Sequence, residues 1–290
     1  MVNIQQAGTF KFGNKTINRM GYGAMQLAGA GVFGPPKDKK EAIAVLQAAI
    51  ESGVNHIDTS DFYGPHITNQ IIREALHPYA KELLLVTKVG ARRNEKGDWL
   101  PALSKPELIQ AVHDNLTNLG IEQIEVVNLR AMFDVSGPSE GSIAEPLSVL
   151  AELQKEGLIH HLGVSNVTAN QIEEARSIAP IVCVQNQYNL VHRRDDALID
   201  LLAKEGIAYI PFFPLGGFTP LQSSILEEVA ISLNATVMQV ALAWLLQRSA
   251  NILLIPGTSS TKHLQQNLAA AKLILPSEAI AKLNNIAVNI

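Results

Sequence analysis

Three residue types at neighbouring strand ends carry the most chemistry in this sequence. Asp58 closes the segment VNHIDTS, Lys88 closes LLLVTKV, and Tyr63 follows in SDFYG. A phenol has a pKa near 10, so at neutral pH it exchanges its proton reluctantly. A lysine cation beside it favours the phenolate, and an aspartate beside the lysine keeps the cation placed and charged. Together they would protonate a carbonyl oxygen while hydride reaches its carbon. Singly, each has a plainer reading: a strand-end aspartate caps a helix, a lysine after an apolar strand emerges to solvent, a loop tyrosine packs.

The elements that must hold these residues follow a regular plan. Strand-like runs begin near Arg19, Val54, Leu83, Glu125, His160, Val182, Ile207 and Ile252. Between them lie helical patterns. KKEAIAVLQAAIESG puts Ile43, Leu46 and Ile50 on one face and stops at Gly53, and Ser104 to Glu107 reads as a capping box with proline in the first turn. From Arg19 to Ile252 the repeat averages about 33 residues, the size of one strand–helix unit. Eight such units predict a single-domain (β/α)8 TIM barrel over residues 1–290, and Gly13-Asn14 predicts an N-terminal β-hairpin ahead of it. Gly29-Ala-Gly31-Val-Phe-Gly34 matches a dinucleotide fingerprint. It is followed by Pro35-Pro36 instead of a helix, so it reads as a loop over the barrel mouth.

Composition narrows the classes further. Of the 290 residues 47% are hydrophobic and 17% charged, enough for a large core, and the net charge of −4 comes with no basic block, so nucleic acid is disfavoured. No window reaches the ~18 apolar residues of a membrane span, and no signal peptide is visible. The lone Cys183, in the apolar run IVCVQ, reads as a core residue in a reduced compartment. A cytoplasmic protein, monomeric or a small homo-oligomer, is expected. No metal is expected, because the strand ends carry no His-x-His, His-Glu-x-x-His or carboxylate cluster.

At this level of detail the chain resembles the aldo-keto reductases. GVNHIDTSDFYG (53–64), LLLVTKVG, HLGVSN, VQNQYN and IPGTSSTKHLQQN are similar to five family motifs in the family's order. GYGAMQLAGAGVFGPP, TSDFYGPH, VVNLR and PFFPLGGFTPLQSS resemble in particular the members that reduce pyridoxal to pyridoxine with NADPH. The resemblance implies that Asp58, Tyr63 and Lys88 are three of the family's four catalytic residues, with Tyr63 the proton donor. The fourth is usually histidine; here Arg130 stands in its place. Arginine is permanently charged and has no acceptor, so it cannot relay a proton, but it can aim a donor at the carbonyl oxygen. Binding a substrate hydroxyl or a neighbouring carboxylate is the alternative for Arg130.

The same resemblance implies the NADPH site: Ser165, Asn166 and Gln185 on the nicotinamide carboxamide, Phe212 stacked where many relatives have tyrosine, and Leu215 in the loop that follows. Gly257, Thr258, Ser259, Lys262 and His263 would meet the phosphates, and Gln266 and Asn267 the adenine. Relatives often carry lysine at the position of Gly257. For the substrate, a small aldehyde, the candidates are Trp99, Asn128 and His66, with Arg92, Arg93, Met132 and Phe133 in the loops around the mouth. Two alternatives stay open: a general aldehyde or ketone reductase, and a non-catalytic NADPH-binding regulatory subunit.

Overall fold

The computed structural model describes residues 3–13, 15–217 and 223–286. It opens with an antiparallel hairpin of β1 (Thr9–Phe12) and β2 (Lys15–Asn18). Gly13 takes the positive φ of 58° that such a tight turn needs, while Asn14, the other turn residue, lies outside the described residues. Then come β3 (Tyr22–Gly23), β4 (His56–Asp58) and β5 (Leu84–Val89), a second hairpin of β6 (Ala91–Arg93) and β7 (Trp99–Pro101), and β8 (Ile124–Arg130), β9 (Ile159–Ser165), β10 (Ile181–Gln185) and β11 (Ala208–Tyr209). Interleaved with them are α1 (Lys39–Glu51), α2 (Ile67–Leu76), α3 (Lys105–Leu119), α4 (Ala144–Lys155), α5 (Ala169–Ile178), α6 (Asp196–Lys204), α7 (Ser224–Ser232), α8 (Val237–Arg248), α9 (Thr261–Leu268) and α10 (Ser277–Asn284).

Seven of these strands form one parallel sheet in the order β11-β10-β9-β8-β5-β4-β3. Residues 252–257 close it. Leu253 donates its backbone N–H to Tyr209 O at 3.0 Å on one side; on the other Leu254 donates to Arg19 O and Gly21 to Leu254 O, both at 2.8 Å. The expected (β/α)8 barrel with its N-terminal hairpin is therefore the observed fold. Its seam is narrow: a Cβ on Gly23 would collide with Ile255 O, and one on Gly257 would stand 2.7 Å from Gly23 O.

The helices stop and start where local chemistry dictates. Glu107 accepts from both the backbone N–H and the hydroxyl of Ser104, closing the predicted capping box of α3. Gly53, Gly157 and Gly206 follow α1, α4 and α6 with φ of 91°, 87° and 70°, conformations that cost glycine nothing. α8 is apolar all round because it is buried against the barrel from Val240 to Leu246. No single described helix is long and apolar enough to cross a membrane.

Along each strand, alternate side chains point into the barrel. At the N-terminal end of the strands this lumen is apolar. Phe12 and Ile17 of the first hairpin pack with Leu84, Val126, Ala208 and Leu253, so the hairpin plugs that end. Midway, Cys183 donates from Sγ to Asn128 Oδ1 at 3.2 Å, and Gly163 lies so close that a Cβ there would overlap both. The fingerprint-like glycines lie in a loop, as expected: residues 30–32 make a single 3-10 turn, and α1 begins only at Lys39. The β6–β7 hairpin was not foreseen; ARRNEKGDWLPALS reads as loop because its two strands are three residues each.

Candidate active site

The register of β4 on β5 sets Asp58 opposite Val86, which brings its side chain onto the end of Lys88 in the adjoining strand. Lys88 Nζ donates to Asp58 Oδ1 at 2.6 Å and to Thr59 O at 2.9 Å; the two side chains are 5% and 4% exposed. The other carboxylate oxygen, Asp58 Oδ2, accepts from Gln185 Nε2 at 2.8 Å, reaching across from β10. Burial disfavours the Lys88 cation. The charge and hydrogen bonding of Asp58 and Tyr63 outweigh it, so the ammonium's pKa stands above the ordinary lysine value.

Tyr63 is buried in the loop after β4, its ring centroid 5.2 Å from Lys88 Nζ and edge-on to Phe62 and Trp99. A dense polar brace fixes that loop. Ser60 donates its hydroxyl to Lys88 O, and Asn69 Nδ2 donates to Asp61 Oδ1 and to Asn115 Oδ1, which also accepts from Thr87. His66 belongs to this brace. Its Nδ1 lies 2.6 Å from Asp61 Oδ2, a hydrogen bond that raises its pKa above the usual histidine value, and it does not line the cavity. Asp61, His66 and Asp114 have ligand atoms within 4.8 Å of one another, outside the cavity.

A cavity of about 660 Å³ opens over the pair. Of the residues expected in the site, Asp58, Tyr63, Lys88, Trp99, Arg130, Gln185, Phe212, Leu215 and Gly257 line it. Asn128 lies one inward position below, hydrogen-bonded to Cys183 and with Nδ2 unpartnered. Trp99 is held over the mouth by Arg93, whose guanidinium stacks 4.0 Å above the indole and donates to Val32 O and Gly31 O. Arg93 is thus a strut between two loops, and Arg92 pairs with Glu107 at the surface. Met132 lines the cavity, whereas Phe133 is largely exposed outside it. Sequence reasoning missed Met25, Phe62, Leu226 and Met238 in the lining. Only Phe62, next to Tyr63, carried a signal.

Arg130 ends β8. Its Nη1 is 3.5 Å from Ser165 Oγ, its guanidinium carbon is 5.3 Å from the Phe212 ring centre, and among the described residues it has no carboxylate partner. Burial lowers its pKa, opposed by Tyr63.

The buried rim next to Arg130 fits a nicotinamide carboxamide. Asn166, at φ 59°, uses Nδ2 on Ala131 O at 2.9 Å and leaves Oδ1 without a partner; Gln185 Oε1 is also buried and unpartnered. Two acceptors and the Ser165 hydroxyl complement an amide group, which donates twice through NH2 and accepts through its carbonyl. Ser165 and Asn166 lie behind the cavity wall, and Gln185 is in it. Farther along, Thr258 is buried, with its carbonyl accepting from Tyr22 Oη at 2.6 Å, while Ser259, Lys262 and His263 are exposed. At the start of α9, Ser260 takes the N–H of His263 and Glu41 takes that of Thr261, so side chains more than free amides face a phosphate there. Asn267 is buried in α9, and Gln266 accepts through its carbonyl from Gln239.

Comparison with known proteins agrees with this architecture. The sequence profile of the aldo/keto reductase family matches residues 19–288. The chain is 66% identical to the pyridoxine 4-dehydrogenase of Escherichia coli (strain K12), across 97% of this chain and 98% of that protein. It is 27% identical to a probable aldo-keto reductase of Glycine max, across 92% and 84%. Among solved structures, a thermostable aldo-keto reductase in complex with the inhibitor epalrestat superposes with a TM-score of 0.79 at 28% identity, covering 96% of this chain and 98% of the other. An aldo/keto reductase from Klebsiella pneumoniae in complex with NADP and acetate gives 0.78 at 22% identity, over 96% and 95%. The chain belongs to the aldo/keto reductase family.

Proposed function

We propose that the chain is an NADPH-dependent aldehyde reductase that converts pyridoxal to pyridoxine, with Tyr63 as proton donor. The observation that carries the reading is the buried Lys88–Asp58 pair beside Tyr63 at the floor of an aromatic-walled cavity. The 66% identity to the Escherichia coli pyridoxine 4-dehydrogenase supports pyridoxal as the substrate. NADPH, when bound, supplies hydride to the aldehyde carbon. Ser165, Asn166 and Gln185 would hold its carboxamide and Phe212 its ring face; Leu215, Gly257, Thr258 and Ser259 would hold the part that follows. Lys262 and His263 would meet the 2′-phosphate, and Gln266 and Asn267 the adenine.

The chain's own residues do the remaining work. The Tyr63 hydroxyl gives its proton to the carbonyl oxygen as negative charge develops there. The Lys88 ammonium stabilises the phenolate left behind, and Asp58, tied at both oxygens, keeps Lys88 aimed and charged. Arg130 points further donors at the same oxygen, the electrostatic part of the missing histidine's task. Phe62, Tyr63 and Trp99 give an aryl aldehyde a dry wall. Cys183 is a free, buried thiol, in keeping with a reduced compartment such as the cytoplasm.

The test follows the absorbance of NADPH, then NADH, with and without pyridoxal. Fast oxidation of NADPH that requires pyridoxal is expected; no oxidation with either nucleotide refutes the reading. The largely apolar cavity wall favours a second reading, a broad aldehyde reductase. Comparable kcat/KM for pyridoxal and for simple aliphatic aldehydes would select it. Tight NADPH binding without turnover of any aldehyde would select a regulatory subunit.

A further inference from the structure

Three arginines packed into the fold set a standard that Arg130 breaks. Arg19, buried, donates to four backbone carbonyls: Ile252, Ala7, Leu246 and Ser249. Arg248 meets Asp196 and Asp200, and Arg93 meets three carbonyls. Arg130, lining the cavity, has one long contact to Ser165 Oγ at 3.5 Å and a ring face, although a guanidinium carries five N–H donors. Charge tells the same story. Among the described residues, the charged ones lining the cavity are Asp58, Lys88 and Arg130, one acid against two cations, and both oxygens of the acid are already taken by Lys88 and Gln185. The acceptors left free nearby, Asn166 Oδ1 and Gln185 Oε1, are the ones suited to the carboxamide, so among the described residues none is left over for the donors of Arg130.

We propose that Arg130 selects aryl aldehydes with a hydroxyl, or its oxyanion, on the ring carbon next to the aldehyde carbon. In such a molecule the carbonyl oxygen and the neighbouring oxygen lie side by side, spaced only slightly wider than the two oxygens of a carboxylate. That spacing suits the guanidinium fork, which binds paired oxygens through two parallel N–H bonds. The carbonyl oxygen then accepts from Tyr63 and from one arm of Arg130, the ring oxygen accepts from the other arm, and its charge offsets the uncompensated cation. This assignment rests on the aldehyde-reductase reading and adds to it a reason for arginine at this position. A histidine has no such fork.

The test compares kcat/KM with NADPH for 2-hydroxybenzaldehyde, 4-hydroxybenzaldehyde and 2-methoxybenzaldehyde, in the full-length wild type, Arg130→Lys and Arg130→Met. Wild type should favour the 2-hydroxy isomer by roughly 10-fold or more over both others, the range of a charge-assisted pair of bonds. The ratio should shrink in Arg130→Lys and approach unity in Arg130→Met, whatever happens to absolute rates. The NADPH dissociation constant, read by fluorescence, should stay close to wild type and shows that the variants are folded. A ratio near unity in wild type, or one unchanged in Arg130→Met, overturns the proposal. So does a large loss of NADPH affinity with the ratio preserved, which would assign Arg130 to the cofactor. If no aldehyde is reduced, the parent reading falls, and calorimetric binding of 2-hydroxybenzaldehyde to the NADP-loaded proteins still decides: equal affinity for wild type and Arg130→Met overturns the selective role.

Discussion

The two ends of the barrel lumen use the same inward positions of the same strands for opposite ends. Leu84 and Val126 lie toward the start of β5 and β8 among Phe12, Ile17, Ala208 and Leu253; Lys88 and Arg130 lie at the far end of those strands among Asp58, Gln185 and Tyr63. At the first end, apolar side chains fill the space and the gain scales with area removed from water. At the second, buried polar groups are held by hydrogen bonds whose net worth is small but whose loss is costly. One end holds the fold together, and the other is kept in shape at the fold's expense.

Four measurements would break or sharpen that division. The largest effect is expected from Tyr63→Phe, which removes only a hydroxyl: kcat on pyridoxal should fall roughly 10²- to 10⁴-fold, while NADPH affinity and Tm stay as in wild type. A kcat within about 3-fold of wild type would remove Tyr63 from the chemistry, given what a proton donor is ordinarily worth. Lys88→Met should act on both counts, lowering kcat by less than Tyr63→Phe does and costing about 3–5 kcal/mol in urea unfolding, because Asp58 is left charged and buried. Adding Asp58→Asn should restore part of that stability and none of the activity.

At the opposite end, Phe12→Ala should cost about 3–5 kcal/mol of stability with kcat/KM unchanged on the surviving folded protein. A matching loss of kcat/KM would mean that the two ends are mechanically coupled.

The smallest effect belongs to His56, one inward position below Asp58 and buried with neither ring nitrogen partnered. Burial pushes its pKa down to about 4, with Asp58 opposing the shift and Lys88 adding to it. The folded protein therefore refuses a proton that the unfolded chain accepts. The stability this contributes is fully present above about pH 6.5 and is lost as pH falls toward about 4, in total up to about 3 kcal/mol. Urea unfolding across that range should show the slope, and His56→Leu should flatten it.

Much of this was legible in the sequence because it is written locally. Strand–helix repeats of about 33 residues, a serine three residues before a glutamate and glycines after helical runs each act through their neighbours, so the barrel and the α3 cap could be read directly, and the Asp58–Tyr63–Lys88 group with the help of the family motifs. What escaped depends on contacts through space. Gln185 meets Asp58 across 127 residues of sequence, and Arg93 serves as a strut to Gly31 and Val32 where its charge had pointed to substrate. His66, expected near the substrate, turns to Asp61. The side-chain types were right in each case, and the partner decided the placement.

Gly163 gives the lumen a floor. With Asn128 and Cys183 already touching across that level, no side chain can be added there without lifting one of them. Asn128 is two residues before Arg130 on β8, so the floor lies one inward position beneath the guanidinium. The level beneath the cavity is thus closed by a residue with no side chain.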